Sequence, residues 1–155
     1  YESALYIFGG IEKDTGCYLD QLLRFDTDTR TLSAIWSEPR PQARAYHASW
    51  VHGKNMYIWG GAHGGATVGN GMAVERVCHG VVAFSRARHV SSVQALNDLW
   101  AFDFETHHWT LVNQFQSEPE ARYEAKAAVV ANKVLLYGGT TLRLARERER
   151  ERETR

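Results

Sequence analysis

The feature that most restricts what this chain can fold into is a strand that recurs three times and closes each time on a glycine doublet. Residues Ala4 to Gly10, Asn55 to Gly61 and Lys133 to Gly139 align without a gap, ending on Phe8-Gly9-Gly10, Trp59-Gly60-Gly61 and Tyr137-Gly138-Gly139. Each is a short apolar run of aromatic, branched and long apolar side chains, which is the composition of a buried strand followed by a turn. A second unit also repeats. Leu19 to Thr29 aligns with Leu96 to Thr106, and both strand cores end in Phe-Asp, at Phe25-Asp26 and Phe102-Asp103. Polar residues follow (Asp28-Thr29-Arg30; Glu105-Thr106-His107), as a tight turn requires. A further short strand comes next, Leu32 to Trp36 or Trp109 to Val112. A third unit, Arg44 to Val51, corresponds to Arg122 to Val129, and each copy follows a loop containing Pro39 and Pro41 or Pro119.

The order is strand, Gly-Gly, loop, strand, turn, strand, Pro loop, strand, turn, and round again. The first glycines of the doublets stand 51 and 78 residues apart. Four short strands in a unit of about 50 residues is the period of one kind of propeller repeat. On the Gly-Gly pairs, the Phe-Asp pairs with an aromatic beyond them, and the Arg that opens each new unit, the chain resembles the kelch-repeat β-propeller family, the galactose oxidase/kelch type. The resemblance covers roughly residues 4 to 139. It departs from regularity where His47 becomes Ala125, and where Trp109 has only Leu32 as counterpart, with Trp36 nearby.

The expected fold is therefore all-β: a partial, incomplete kelch-type β-propeller of about two and a half four-stranded blades. Blade one spans 4–36 and lacks its innermost strand, blade two spans 44–112, and blade three spans 122–139 and stops after two strands. The long interval between the second and third doublets implies a loop insertion at about 62–95, Gly-rich at its start and without a clean period beyond Met72. Residues 140–155 form an Arg/Glu-repeat tail, strictly alternating from Arg146 to Glu153, and read as disordered. A propeller needs radial closure, so the remaining blades are expected from outside this chain. Without them, sheet edges and apolar faces would lie open.

The glycines read as backbone positions of positive φ or close approach. No Lys-Ser or Lys-Thr follows them, as a phosphate-binding loop would need. Tyr6, Tyr57, Trp59, Trp100 and Trp109 read as packing between blades. Lys plus Arg is 18 and Asp plus Glu is 18, so the sequence carries no net charge to draw nucleic acid or an anionic membrane. There is no run of about 18 apolar residues for a membrane span. The first residues, Tyr1-Glu2-Ser3, show neither a starting Met nor a leader, so the chain is expected to begin inside something longer or to have been processed. Two cysteines, Cys17 and Cys78, suit free thiols in the cytoplasm.

Seven histidines are present, none in a His-Glu-x-x-His arrangement, and no G-x-S-x-G elbow occurs. No catalytic residue, cofactor or metal is expected. In a four-stranded meander the loop after each Gly-Gly and the Pro loop before the next blade open on one face. That face gathers Ile11–Tyr18, Ser37–Tyr46, Gln114–Tyr123 and the insertion. Kelch-like domains often bind proteins or peptides through such a surface, so the resemblance implies a protein-protein interaction module in an adaptor or scaffold role. The contact candidates are Arg44, Tyr46, Arg122 and Tyr123, since Arg and Tyr are enriched at hot spots. Arg44 and Arg122 have a second reading, as bridges from one blade to the next through carbonyls. Two other functions are carried as alternatives. One is a kelch-like metal-dependent enzyme, a copper oxidase or iron-dependent specifier, for which the neighbouring Cys17 and Tyr18 are the relevant pair. The other is a non-functional fragment of a truncated or misannotated gene.

Overall fold

Strand side chains alternate between two faces, and the burial of each strand records which faces are covered. In the computed structural model, residues 1–64, 93–112 and 119–141 are described in full, and the strands within 67–88 by their backbone alone. The elements in chain order are β1 (Ala4–Phe8), β2 (Leu22–Asp26), β3 (Thr31–Ile35), β4 (Ala48–His52), β5 (Asn55–His63), β6 (Thr67–Val68), β7 (Met72–Val77), β8 (Val81–Arg88), β9 (Gln94–Asp103), β10 (Trp109–Leu111), β11 (Tyr123–Val130) and β12 (Lys133–Thr140). Among the described residues there is no helix.

Three of the four sheets are successive blades. The first has the order β1-β2-β3, the second β4-β5-β9-β10 and the third β11-β12, with every pairing antiparallel. The middle blade is covered on both sides: Ile58 and Phe102 are fully buried, and Trp59 is 1% exposed. Among the described residues, the outer blades are covered on one side only. In β1, Phe8 is buried while Leu5 and Ile7 are exposed, and in β12 Leu135 and Tyr137 are exposed.

Aromatic residues fill the seam between blades one and two. Phe8 and Leu22 from blade one pack with Met56, Ile58, Phe102, Phe104 and Trp109 from blade two. Phe8 meets Trp109 edge-on at 5.0 Å, and Tyr6 lies 4.6 Å from Phe104. Tilted and edge-on ring pairs of this kind add about 0.5–1.5 kcal/mol each beyond the area they bury. The seam between blades two and three holds Ala48, Trp59 and Ala125, flanked by Trp50, Leu99, Ala127 and Leu136.

Repeated sequence gives repeated local structure at both ends of the blades. The Asp26 carboxylate accepts bonds from the Asp28 and Thr29 amides, and Asp103 does the same with Glu105 and Thr106. These bonds fold the Phe-Asp turns, and the Thr29 and Thr106 amides are the largest cause holding Asp26 and Asp103 at pKa values of about 2. The first doublet follows the end of β1 as expected, but the second and third differ, since β5 and β12 run through theirs. Gly60 and Gly61 do not end β5 in a turn. The strand runs on to His63, with a register shift against β9 between Trp59 and Gly61. At Gly60 φ is +65°, and a Cβ would lie 2.7 Å from the Arg122 carbonyl oxygen and 3.0 Å from that of Leu96. The doublet is a bulge against which the next blade rests.

The insertion contains more regular structure than its sequence indicates. β6, β7 and β8 form an antiparallel sheet of their own, while 65–66, 69–71, 78–80 and 89–92 lie outside the described residues. At the other end, Thr140 closes β12 opposite Tyr123 and Thr141 is buried, so the strand reaches past the boundary expected for the tail. The Arg/Glu segment itself lies outside the described residues, as does 113–118.

Candidate functional site

The loop face is organised by two arginines with the same bonding. The Arg44 amide donates to the Leu19 carbonyl (3.0 Å) and the Arg44 carbonyl accepts from the Gly10 amide (2.9 Å), which ties it to blade one. Its side chain turns into blade two. Nη1 donates to the Gly60 carbonyl at 3.1 Å, Nε donates to the Gln42 carbonyl at 3.1 Å, and Nη1 and Nη2 grip the two Asp98 oxygens at 2.6 and 2.7 Å. One blade later the pattern returns. The Arg122 amide donates to Leu96 and its carbonyl accepts from Gly61, both at 3.0 Å. Its Nη1 donates to Gly138 (3.0 Å) and its Nε to Glu120 (3.2 Å).

The bridging reading of these arginines is thus right in outcome and different in detail. The backbone reaches the previous blade, and the guanidinium braces the glycine bulge of its own. Arg44 has 0% exposure, and its donors are engaged by three partners. It holds the surface in place and offers no face to a partner. Burial raises the Asp98 pKa, but the bonds from Arg44 and from Trp100 Nε1 (2.7 Å) outweigh it and keep the carboxyl below its usual range.

What Arg44 holds out is Tyr46. It is 52% exposed, and its backbone sits at φ 58°. Glu124, its counterpart in blade three, has φ 61° and donates its amide to the Tyr46 carbonyl at 2.8 Å. A positive φ is uncommon for residues other than Gly, so its recurrence at one repeat position marks a fixed kink where the chain enters each blade. Tyr18 stands close by on the loop after the first doublet. Burial raises its hydroxyl pKa, with smaller contributions from Tyr46 and Tyr123. The bond from the Glu124 amide to the Tyr46 carbonyl brings the Tyr46 and Tyr123 segments together, and Tyr18 ends the Ile11–Tyr18 loop that the sequence places on the same face. The Tyr18 ring lies 6.2 Å from that of His63, whose Nδ1 is 2.6 Å from the Ala43 carbonyl oxygen. The sequence signal for both was position alone: Tyr18 ends the loop after the first doublet, and His63 lies two residues past the second.

Two further features stiffen this face. Arg40 pairs with Asp20 at 2.9 Å and with Glu38 at 2.8 Å, and stacks over Trp36 at 5.3 Å from the ring centre. This ties the Pro loop of one blade to the loop of the previous blade. His47 lies behind Tyr46, 5.8 Å from the Phe8 ring. Burial, and secondarily Arg44, lowers its pKa to about 4, so it is neutral near pH 7. Cys17 is buried and free. Among the described residues, no group of three or more His, Cys, Asp or Glu converges in a way that would hold a metal.

Radially arranged antiparallel blades, joined by glycine bulges and arginine braces beneath a loop face, define a kelch-type β-propeller, here a partial one. The chain belongs to the kelch-repeat family: the family model described as the KLHDC2/KLHL20/DRC7 Kelch-repeats domain matches residues 1–147. It is similar to Kelch domain-containing protein 3 of Homo sapiens, with 23% identity over 171 residues covering 88% of this chain and 45% of the relative. The Bos taurus and Mus musculus proteins of that name match with the same identity and coverage. The chain therefore spans about half the length of these curated relatives. Among solved structures it is similar in fold to YjhT, with a TM-score of 0.63 and 19% identity, over 89% of this chain and 41% of that one.

Proposed function

We propose that this chain is a protein-interaction module that engages a protein or peptide through its loop face, in an adaptor or scaffold role and without catalysis of its own. Membership of the kelch-repeat family supports the general reading. The observation that carries the finer one is Tyr46, 52% exposed where the chain enters blade two and bonded through its carbonyl to the Glu124 amide beside Tyr123, on a face that buried Arg44 and half-buried Arg122 pin to the blades. Tyrosine supplies a large rigid surface with a hydroxyl for hydrogen bonding at little entropic cost, which suits a contact hot spot. Arg44 acts in this reading as a positioning residue. Arg122, whose side chain is 32% exposed, serves as both brace and contact.

The test is site-specific photo-cross-linking of the full-length gene product in its native cells. A benzophenone side chain replaces Tyr46, and in a control it replaces Lys54, in the turn between β4 and β5 at the opposite end of the blade. The expected result is a discrete protein adduct from position 46 and none from position 54. Equal labelling from both positions, or an adduct from 54 alone, would remove the loop face from consideration.

A further inference from the structure

One short piece of chain on the loop face touches all three blades, and it carries a titratable ring. His47 sits between Tyr46, at φ 58°, and the first residue of β4. Its ring lies edge-on to Phe8 of blade one at 5.8 Å. On the blade-two side the glycine bulge closes over it: a Cβ at Gly61 would come within 3.0 Å of the His47 Cβ and 3.1 Å of its Cα. The peptide that joins Tyr46 to His47 holds blade three, since its carbonyl accepts from the Glu124 amide at 2.8 Å. The exposed tyrosine, the tie to the next blade and the imidazole therefore move as one unit.

The surroundings of the ring suit its neutral form alone. Nδ1 is buried and has no hydrogen-bond partner among the described residues. A neutral imidazole can keep Nδ1 there as a bare acceptor. An imidazolium carries a proton on both nitrogens, and the one on Nδ1 would be buried without an acceptor. The groups packed on the ring offer no relief. Phe8 and Gly61 carry no charge, and the charge that acts on it is Arg44, a cation held on Asp98, Gly60 and Gln42 that cannot turn aside. Asp98 is itself engaged by Arg44 and Trp100. Burial and Arg44 together lower the His47 pKa to about 4, so a proton that does bind must move the ring. Blade three shows the same backbone without an imidazole. Ala125 follows Glu124 at φ 61°, and a Cβ at Gly139 would lie 3.1 Å from its Cα, the distance found between Gly61 and His47. The kink stands without the ring, so the titratable group is an addition to the scaffold.

We propose that His47 is an acid-operated latch on the loop face: once protonated, its ring leaves the seam for solvent, the Tyr46–His47 peptide turns with it, and the tie from Tyr46 to blade three lets go. The Gly61 backbone stands against the Cα and Cβ of His47, so the ring leaves by moving the chain and not by side-chain rotation alone. Buried histidines that charge in acid act as switches of this kind. A protein held at Tyr46 is then released in acid. That consequence rests on the loop-face reading, whereas the latch itself does not.

The test follows the whole chain by NMR from neutral pH down to about 4, the His47 value. Scalar coupling from the Glu124 amide to the Tyr46 carbonyl reports the latch, coupling from the Gly61 amide to the Arg122 carbonyl is the reference, and the imidazole nitrogen shifts report the protonation of His47. The expected result is loss of the Glu124–Tyr46 coupling as His47 takes its proton, while the reference coupling survives. His47→Phe keeps a ring beside Phe8 without a titratable group, and His47→Ala copies blade three; both variants should hold both couplings over the whole range. The latch is overturned by a Glu124–Tyr46 coupling that persists with His47 protonated, that is lost equally in the variants, or that disappears only together with the reference. A His47 that stays neutral with its coupling intact at about pH 4 would overturn it too. Whether a protein binds the face is decided separately, by the cross-linking at position 46.

Discussion

Replacing His47 by alanine, the residue blade three carries at the same place as Ala125, should flatten the acid sensitivity of the fold between pH 6.5 and 4. The imidazole is packed against Phe8 behind the loop face, and its Nδ1 is buried with no hydrogen-bond partner among the described residues. Burial first, and the Arg44 charge second, lower its pKa from 6.5 to about 4. Between those values the unfolded chain binds a proton at this residue and the folded chain does not. Stability must therefore fall as the pH drops through 6.5 and level off below about 4, where both states are protonated. A displacement of that size corresponds to about 3 kcal/mol over the window. Asp26 and Asp103, with pKa values of about 2, lose their contribution mainly below pH 4 and leave the His47 window readable. The assay is urea unfolding followed by tryptophan fluorescence at pH values from 7 to 4. The wild-type chain should lose about 3 kcal/mol more than His47→Ala across the range, whatever the variant loses at pH 7. Parallel profiles for the two proteins would show that His47 titrates normally in the fold, and would refute its placement in a dry seam.

Arg44→Lys keeps the charge but cannot grip both Asp98 oxygens while bracing Gly60, and leaves Asp98 partly unpaired; its urea midpoint should correspond to a loss of about 3 kcal/mol or more. Gly60→Ala and Gly138→Ala should separate sharply in the same assay. Both glycines have positive φ, but a Cβ at Gly60 meets the Arg122 and Leu96 carbonyls whereas one at Gly138 meets nothing within 4 Å among the described residues. Gly138→Ala should lose only the roughly 1–2 kcal/mol of a left-handed alanine, and Gly60→Ala distinctly more. Equal losses would mean that the bulge is not pressed against the next blade.

Features confined to one repeat unit were legible from the sequence. The Phe-Asp turns follow from a few neighbouring residues, and the structure repeats them at Asp26 and Asp103; Phe8 and Trp59 are buried at matching positions, while Tyr137 on the outer blade is exposed. Features that depend on two distant segments were not. The match of Arg44 to Asp98 spans 54 residues, and Asp98 reads locally as an ordinary strand-edge polar residue. Arg44 was chosen as a contact because Arg is common at hot spots, and its complete burial became apparent only once Asp98 and Gly60 were seen to enclose it. The meeting of the Tyr18 and His63 loops was legible from the order of strands, but the ring contact between the two side chains was not, because nothing in either local sequence signals it. The doublet was read as a turn because Gly-Gly usually ends a strand, while here β5 has a partner, β9, that continues past it. The β6–β8 sheet has backbone pairing without a clean alternation of apolar residues, which left periodicity nothing to detect.

The most direct test of a repeated unit fanned about one axis is NMR scalar coupling across hydrogen bonds between blades. If the blades repeat, the Gly10 amide couples to the Arg44 carbonyl and the Gly61 amide couples to the Arg122 carbonyl, two contacts of 2.9 and 3.0 Å at matching positions. Detection of both couplings is the expected result. Detection of the first without the second, or coupling of either amide to a carbonyl in its own blade, would contradict the repeat and the loop face built on it.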